Sequence, residues 1–209
     1  MEIIDRSCRD FLADLAGPSP TPGGGGAAAF GSALGLALSQ MVISLTSGKK
    51  KYARDEEELA TLGQEAQNLR EELLAQVAAD AEAFAPLAAA YGLPANSEEE
   101  KAAKTVRLGE TGYQAALVPL RIMEKTYRAL ELACRISEIG SKIMISDAGC
   151  SLLFLEAGLK AASYNVQINL PLITDSATVK QLQERLDRLL LEGEKLTQKG
   201  LSTVKERMG

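Results

Sequence analysis

The most apolar stretch of the chain runs from Pro18 to Gly48 and carries no charged residue, although charged residues make up 24% of the sequence. It opens with Pro20, Pro22 and the glycines Gly23 to Gly26, and the basic triplet Lys49-Lys50-Lys51 follows it. Proline and glycine bar the opening from a helix interior, whereas the Ala/Leu-rich remainder fits one. A proline and bare glycines at a helix start suit N-terminal amides that face a ligand. Within the helix, Ala27, Gly31, Gly35 and Ser39 recur every fourth residue. They make a ridge with almost no side chain, open to another helix or a flat ligand. Such ridges also pack membrane helices. From Ala27 to Thr46, however, only 13 of 20 residues are apolar, against the roughly 20 predominantly apolar residues that a span needs. The pattern predicts the buried helix of a soluble bundle, its ridge covered by a neighbouring helix or a second copy.

The flanking patterns are helical too. Residues 2–15 read as one amphipathic helix on Ile3, Ile4, Phe11, Leu12 and Leu15, stopped by Gly17-Pro18. From Arg54 to Tyr91, Leu59, Leu62, Leu69, Leu73 and Val77 keep helical spacing; a local break is expected at Pro86, and Gly92 and Pro94 end the run. Ser97 with Glu100 is a capping box. It opens a helix to about Leu117 that Pro119 kinks or restarts and that continues to about Glu138. Ser146 or Asp147 is expected to cap the next helix, which Pro171 ends. Asp175 or Ser176 caps the last, with Val179, Leu182, Leu186, Leu189 and Leu190 as its stripe. No segment alternates with period two for long enough to be a strand. The expected fold is all-α: one domain, 1–209, a bundle of about six helices, two of them long, with a Gly-rich loop opening the central helix.

Composition narrows the chemistry. A net charge of -5 and a pI near 5.0 argue against a nucleic-acid footprint. Cys8, Cys134 and Cys150 match neither a disulfide framework nor a metal motif, which fits a reducing compartment. Charges in the first 15 residues are not those of a signal peptide, so a cytoplasmic location is expected. Histidine is absent. Proton transfer in an enzyme of this composition falls to Asp, Glu, Lys, Tyr or Cys, and histidine triads and histidine-ligated zinc are excluded.

Four stretches can carry chemistry. Pro22, Gly23, Gly24, Gly25 and Gly26 precede the central helix without a Walker pattern or a preceding strand, so neither a phosphate loop nor a dinucleotide fingerprint applies. Asp80 stands among Val77, Ala78, Ala79 and Ala81, with Glu82 and Phe84 following. An apolar wall raises a carboxylate's pKa and suits it to proton transfer near neutrality, although a partly solvated helix carboxylate is the plainer alternative. Ser146 and Asp147 form a helix cap or a ligand contact. Asn165 and Asn169, one turn apart in an uncharged window from Ala161 to Thr174, need partners if buried. Lys49 and Lys50 are a solvated helix end or a grip for an anionic tail.

Together these blocks resemble the formiminotransferase-cyclodeaminase C-terminal family, which includes formiminotetrahydrofolate cyclodeaminases and methenyltetrahydrofolate cyclohydrolases. The resemblance rests on PTPGGGGAAAFGSALGLALSQMV with SGKKKY, then DAEAF, then LPANSEEEK with VPL, then SDAG with NVQINLPLITD. It implies an all-α homodimer with a folate cleft, Asp80 as the catalytic residue, no metal or bound cofactor, and a tetrahydrofolate derivative as substrate. The cyclodeaminase reaction is the first expectation and the cyclohydrolase the alternative. A non-catalytic helical dimer that binds a partner through the ridge is the rival of another class. The chain departs from the family pattern at Ala78 and Ala79, where acidic residues often stand, at Gly26 in place of serine, and at Ser141 in place of asparagine. The first departure leaves Glu82 as the nearest second acid to Asp80.

Overall fold

The computed structural model describes residues 3–209 and is helical throughout those residues apart from short connections. Six α-helices follow in order: α1 (Cys8–Leu15), α2 (Gly24–Ser44), α3 (Glu56–Tyr91), α4 (Glu98–Ile139), α5 (Ile145–Gln167) and α6 (Ser176–Met208). α2, α3, α4 and α5 form a closed four-helix bundle, each packed on two neighbours, and α6 lies in the groove between α4 and α5. Three helices are long rather than two, because α6 runs 33 residues beside α3 at 36 and α4 at 42.

α2 is the most enclosed element. It packs on α5 and α3 along its sides and touches α4 across the bundle. By length and hydropathy it meets the requirements of a membrane span, as does the stretch Lys50–Tyr91. Within the fold, Ala28, Ala29, Ala33, Leu36, Val42 and Ile43 are buried among the other helices, which accounts for its apolar character.

The α2–α5 seam runs antiparallel at close range. A β-carbon on Gly158 would lie 2.1 Å from the Ser32 hydroxyl, and one on Gly35 would lie 2.7 Å from Leu155. Hydroxyls replace bulk here. Ser39 and Ser151 share a hydrogen bond of 2.8 Å, Ser151 donates to the Gly35 carbonyl at 2.7 Å, and Thr126 of α4 donates to Ser32 at 2.9 Å. The expected ridge is thus split. Gly35 and Ser39 face α5, but Ala27 is only half-buried and Gly31 opens onto free space. The packed ridge is Ala28, Ser32, Gly35 and Ser39, whose spacing follows the 3.6-residue turn better than a strict step of four.

Other expectations also shift. The first α-helix begins at Cys8, capped by Ser7, whose hydroxyl accepts the Asp10 amide at 3.1 Å; Ile3–Asp5 form a separate 3-10 turn, and the expected start at Glu2 lies outside the described residues. Pro86 and Pro119 break neither helix, since each removes one hydrogen bond from a helix that buried neighbours such as Leu87, Val118 and Leu120 hold in place. Ser146 and Asp147 cap nothing. A 3-10 turn at Lys142–Met144 feeds directly into α5, so both lie inside its first turn. The capping box at Ser97 and Glu100 and the Asp175 cap of α6 are as expected.

Candidate active site

The chain bends at Pro22, and the glycine run then becomes the first turn of α2, with Gly23 as N-cap. A helix start leaves amides without intrahelical partners. One of them is taken from outside: the Gly26 N–H donates to Asp80 Oδ2 at 3.0 Å, across 54 residues. Gly25 is required by this approach, and Gly24 eases it. A β-carbon on Gly25 would sit 2.1 Å from Asp80 Oδ1, and one on Gly24 would sit 3.2 Å from Asn165 Oδ1. α3, the α2 start and the end of α5 therefore meet around bare backbone.

A cleft of ≈ 190 Å³ opens at this junction, lined by Gly23, Gly24, Asp80, Phe84, Leu87, Tyr91, Ala115, Asn165, Ile168 and Asn169, with Pro20 and Thr21 at its edge. Its size decides what fits. Drug-sized ligands occupy roughly 300–1,000 Å³, so the cleft takes a ring system and leaves any tail outside. Burial pushes the Asp80 carboxyl above the usual aspartate range, and the Gly26 amide opposes that only in part. Among the described residues, no Lys or Arg lines the cleft. A carboxyl in this setting holds a proton more readily than a solvated one and returns it, as acid–base catalysis requires.

The amides of Asn165 and Asn169 are oriented by the helix itself. Asn165 Nδ2 donates to the Ala161 carbonyl at 3.0 Å, and Asn169 Nδ2 donates to the Asn165 carbonyl at 2.9 Å. Each nitrogen keeps a second N–H, so each amide offers its side-chain oxygen as an acceptor and one N–H as a donor.

Of the residues singled out in the sequence, the fold brings together Gly23, Gly24, Gly25, Asp80, Asn165 and Asn169, with Pro22 buried behind the loop. Glu82 is not among them. Two residues on from Asp80, it points to the opposite side of α3 and is exposed, so among the described residues no second acid lines the cleft with Asp80. Lys49 and Lys50 follow the other end of α2, about 30 Å along the helix. There Lys49 and Lys51 line a separate shallow depression with Tyr52, Ser141, Lys142 and Ile143. Ser146 and Asp147 start α5 at that same far end. Phe84, Leu87 and Tyr91 were not singled out as a group, yet they lie four, seven and eleven residues after Asp80. That spacing puts them on its face of the helix, a signal present in the sequence.

Comparison with known proteins agrees with this arrangement. Residues 7–188 match the family described as formiminotransferase-cyclodeaminase. The methenyltetrahydrofolate cyclohydrolase of Methylorubrum extorquens is 40% identical over 198 residues, 95% of this chain and 95% of that protein. The formimidoyltransferase-cyclodeaminase of Rattus norvegicus is 33% identical over 190 residues, 91% of this chain but only 35% of that protein. The crystal structure of formiminotetrahydrofolate cyclodeaminase from Thermotoga maritima superposes with a TM-score of 0.87 at 27% identity, covering 98% of each chain. A glycine-cradled carboxylate in an all-α bundle, matched along nearly its whole length by these proteins, places the chain in the formiminotransferase-cyclodeaminase family.

Proposed function

We propose that the chain is an enzyme of tetrahydrofolate one-carbon chemistry that opens and closes the ring around a methenyl carbon, with Asp80 as its proton carrier. The observation that carries this reading is the single half-buried carboxyl held by the Gly26 amide. Of the two reactions named among the relatives, hydrolysis of 5,10-methenyltetrahydrofolate to the 10-formyl compound is favoured by the match of 40% over 95% of both chains. In that reaction the carboxylate takes a proton from water as its oxygen bonds to the methenyl carbon. The carboxylic acid then protonates N5 as the C–N5 bond breaks, and the hydroxyl proton leaves to solvent. The carboxylate also stabilises the cationic substrate. The second reading is the cyclodeaminase, favoured by the fold likeness at a TM-score of 0.87. There N10 attacks the formimino carbon, and the same carboxyl moves the N10 proton to the departing ammonia.

The test supplies methenyltetrahydrofolate to one sample and formiminotetrahydrofolate to another. Loss of the methenyl chromophore in the first marks the hydrolase, and its appearance with ammonia in the second marks the cyclodeaminase. Silence in both, from folded protein, ends the proposal and leaves the non-catalytic helical rival.

The proposed assembly is a homodimer. α2 presents Ala27, Gly31, Leu34, Leu38, Met41 and Leu45 outward at heptad spacing, and α5 presents Cys150, Phe154, Ala157, Ala161, Tyr164 and Ile168. In an antiparallel pair, the residues preceding those of the seam lie on one side, so the two stripes form one apolar face; Leu34, Phe154, Tyr164 and Ile168 are exposed on it. A two-fold axis running across the helices sets the end of one α2 over the start of the other. Lys49, Lys50 and Lys51 of a second copy then come beside the cleft, with Ser146 and Asp147 on the same end, and the cations meet the glutamate tail that the cleft has no room for.

A further inference from the structure

Helices α3 and α4 each contain one internal proline, and the two differ in what they leave behind. A proline has no N–H, so the carbonyl four residues earlier loses its helical partner. For Pro86 that carbonyl belongs to Glu82, which is exposed and open to water. For Pro119 it belongs to Ala115, which is 7% exposed and lines the Asp80 cleft. Among the described residues, no side chain donates to it. A buried carbonyl left unpaired costs free energy comparable to a lost hydrogen bond, so its partner is to be sought in the cleft.

We propose that the Ala115 main-chain carbonyl is a substrate-binding acceptor, freed by Pro119, that receives an N–H of the substrate's heterocycle. The inference rests on the folate reading above, and it names the ligand feature that the wall selects. Asn165 and Asn169 add side-chain oxygens on the α5 side, and the unpaired amides at the start of α2 supply donors. Acceptors at Ala115, Asn165 and Asn169 facing donors at the start of α2 match a ring that carries both a carbonyl and N–H groups. Pro119 does not touch the substrate in this scheme. It is a positioning residue that acts by withholding an N–H from Ala115.

Pro119→Ala tests this, because it restores the N–H and draws the Ala115 carbonyl back into the helix. Pro119→Gly restores the same N–H with a different side-chain volume and guards against a packing artefact. The probe is tetrahydrofolate, titrated calorimetrically into the parent protein and each variant, with turnover measured alongside. Both variants are expected to weaken binding and raise KM by about 3- to 10-fold, the worth of one hydrogen bond. The value of kcat should stay within about twofold and its pH profile should not move, because Asp80 is untouched. If the parent binds tetrahydrofolate and both variants bind it equally well, the acceptor role is wrong, whatever happens to their melting temperatures. If the parent itself does not bind, the folate reading falls and takes this inference with it.

Discussion

At its N-terminal end α2 meets a half-buried carboxyl in a cleft with no cation in its lining, whereas at its C-terminal end the same helix leads into Lys49, Lys50 and Lys51 beside Tyr52 and Lys142. The two ends shift the titration of their groups in opposite directions. Burial raises the pKa of Asp80. At the far end the Lys142 amide donates to the Tyr52 hydroxyl at 3.0 Å and, against a smaller desolvation effect, holds the phenol below its ordinary value, helped by the charges of Lys51 and Arg207. One end keeps a proton available, and the other favours negative charge. Neither alone suits a long substrate with a reactive cation at its head and carboxylates at its tail. The proposed dimer would reconcile the difference by setting the two ends of different copies side by side.

The largest expected effect lies at the first end. Asp80→Asn keeps the shape and leaves an oxygen for the Gly26 amide, but it removes the titrating group and should lower kcat by about 10²–10⁴. The same change sharpens the comparison through stability. Because folding raises this pKa, the folded chain binds the proton more tightly than the unfolded one. The stability this provides is present at low pH and is lost as pH rises from the ordinary aspartate value of about 3.9 through Asp80's own higher value. The Asn variant should therefore melt above the parent at neutral pH, with the gap closing as the pH falls through that window. A parent that melts higher at neutral pH contradicts the assignment of burial as the dominant cause.

Gly25→Ala comes next. Its methyl would lie 2.1 Å from Asp80 Oδ1, so the carboxyl must move while the rest of the bundle stays intact. A displacement on the order of 1 Å costs about 100-fold in rate, and circular dichroism should show unchanged helicity. Full activity in this variant means that the carboxyl's position does not matter.

Mixing experiments address the other half of the comparison. The double variant Lys49→Ala/Lys51→Ala should raise KM several-fold, more for polyglutamylated substrate, with the difference shrinking in high salt. Unfolded and refolded together, this variant and Asp80→Asn should regain part of the parent activity, since some mixed dimers assemble one complete site. Activity no higher than the average of the two variants breaks the proposal that the ends meet between copies.

The glycines of α2 give the smallest and most diagnostic pair. Gly35→Leu drives a side chain into Leu155 and should cost about 1–3 kcal/mol or more. Gly31→Leu enters open space within one chain and should gain about 0.8 kcal/mol in helix propensity. On a dimer face it instead converts the protein to monomers, which sedimentation reads directly. A Gly31→Leu protein that melts higher and keeps the parent's size removes Gly31 from any interface.

Much of this was legible in the sequence because local signals carried it. The Ser97–Glu100 box, the Asp175 cap and the leucine stripes depend on neighbours within a turn or two, and the bundle follows from them. Asp80 and the glycines came from the apolar pattern and the family resemblance. What failed depended on distant partners. Pro86 and Pro119 stay helical because packing outweighs one lost hydrogen bond, and no local rule contains that packing. Ser146 and Asp147 look like a cap but follow a 3-10 turn that already starts the helix. Glu82 is different, since its position two residues from Asp80 excludes it by geometry that the sequence alone supplies.

The hydroxyl seam between α2 and α5 has a consequence for sliding. Ser39 with Ser151 and Ser151 with the Gly35 carbonyl are satisfied, and Gly158 clears Ser32, in one alignment of the two helices. A shift by one turn, about 5.4 Å, would strand buried hydroxyls against aliphatic groups and drive Leu155 out of the notch at Gly35. The seam thus behaves as a detent. The separation between Gly24 and Asn165, and with it the width of the cleft, is set by residues up to about 20 Å away along α2.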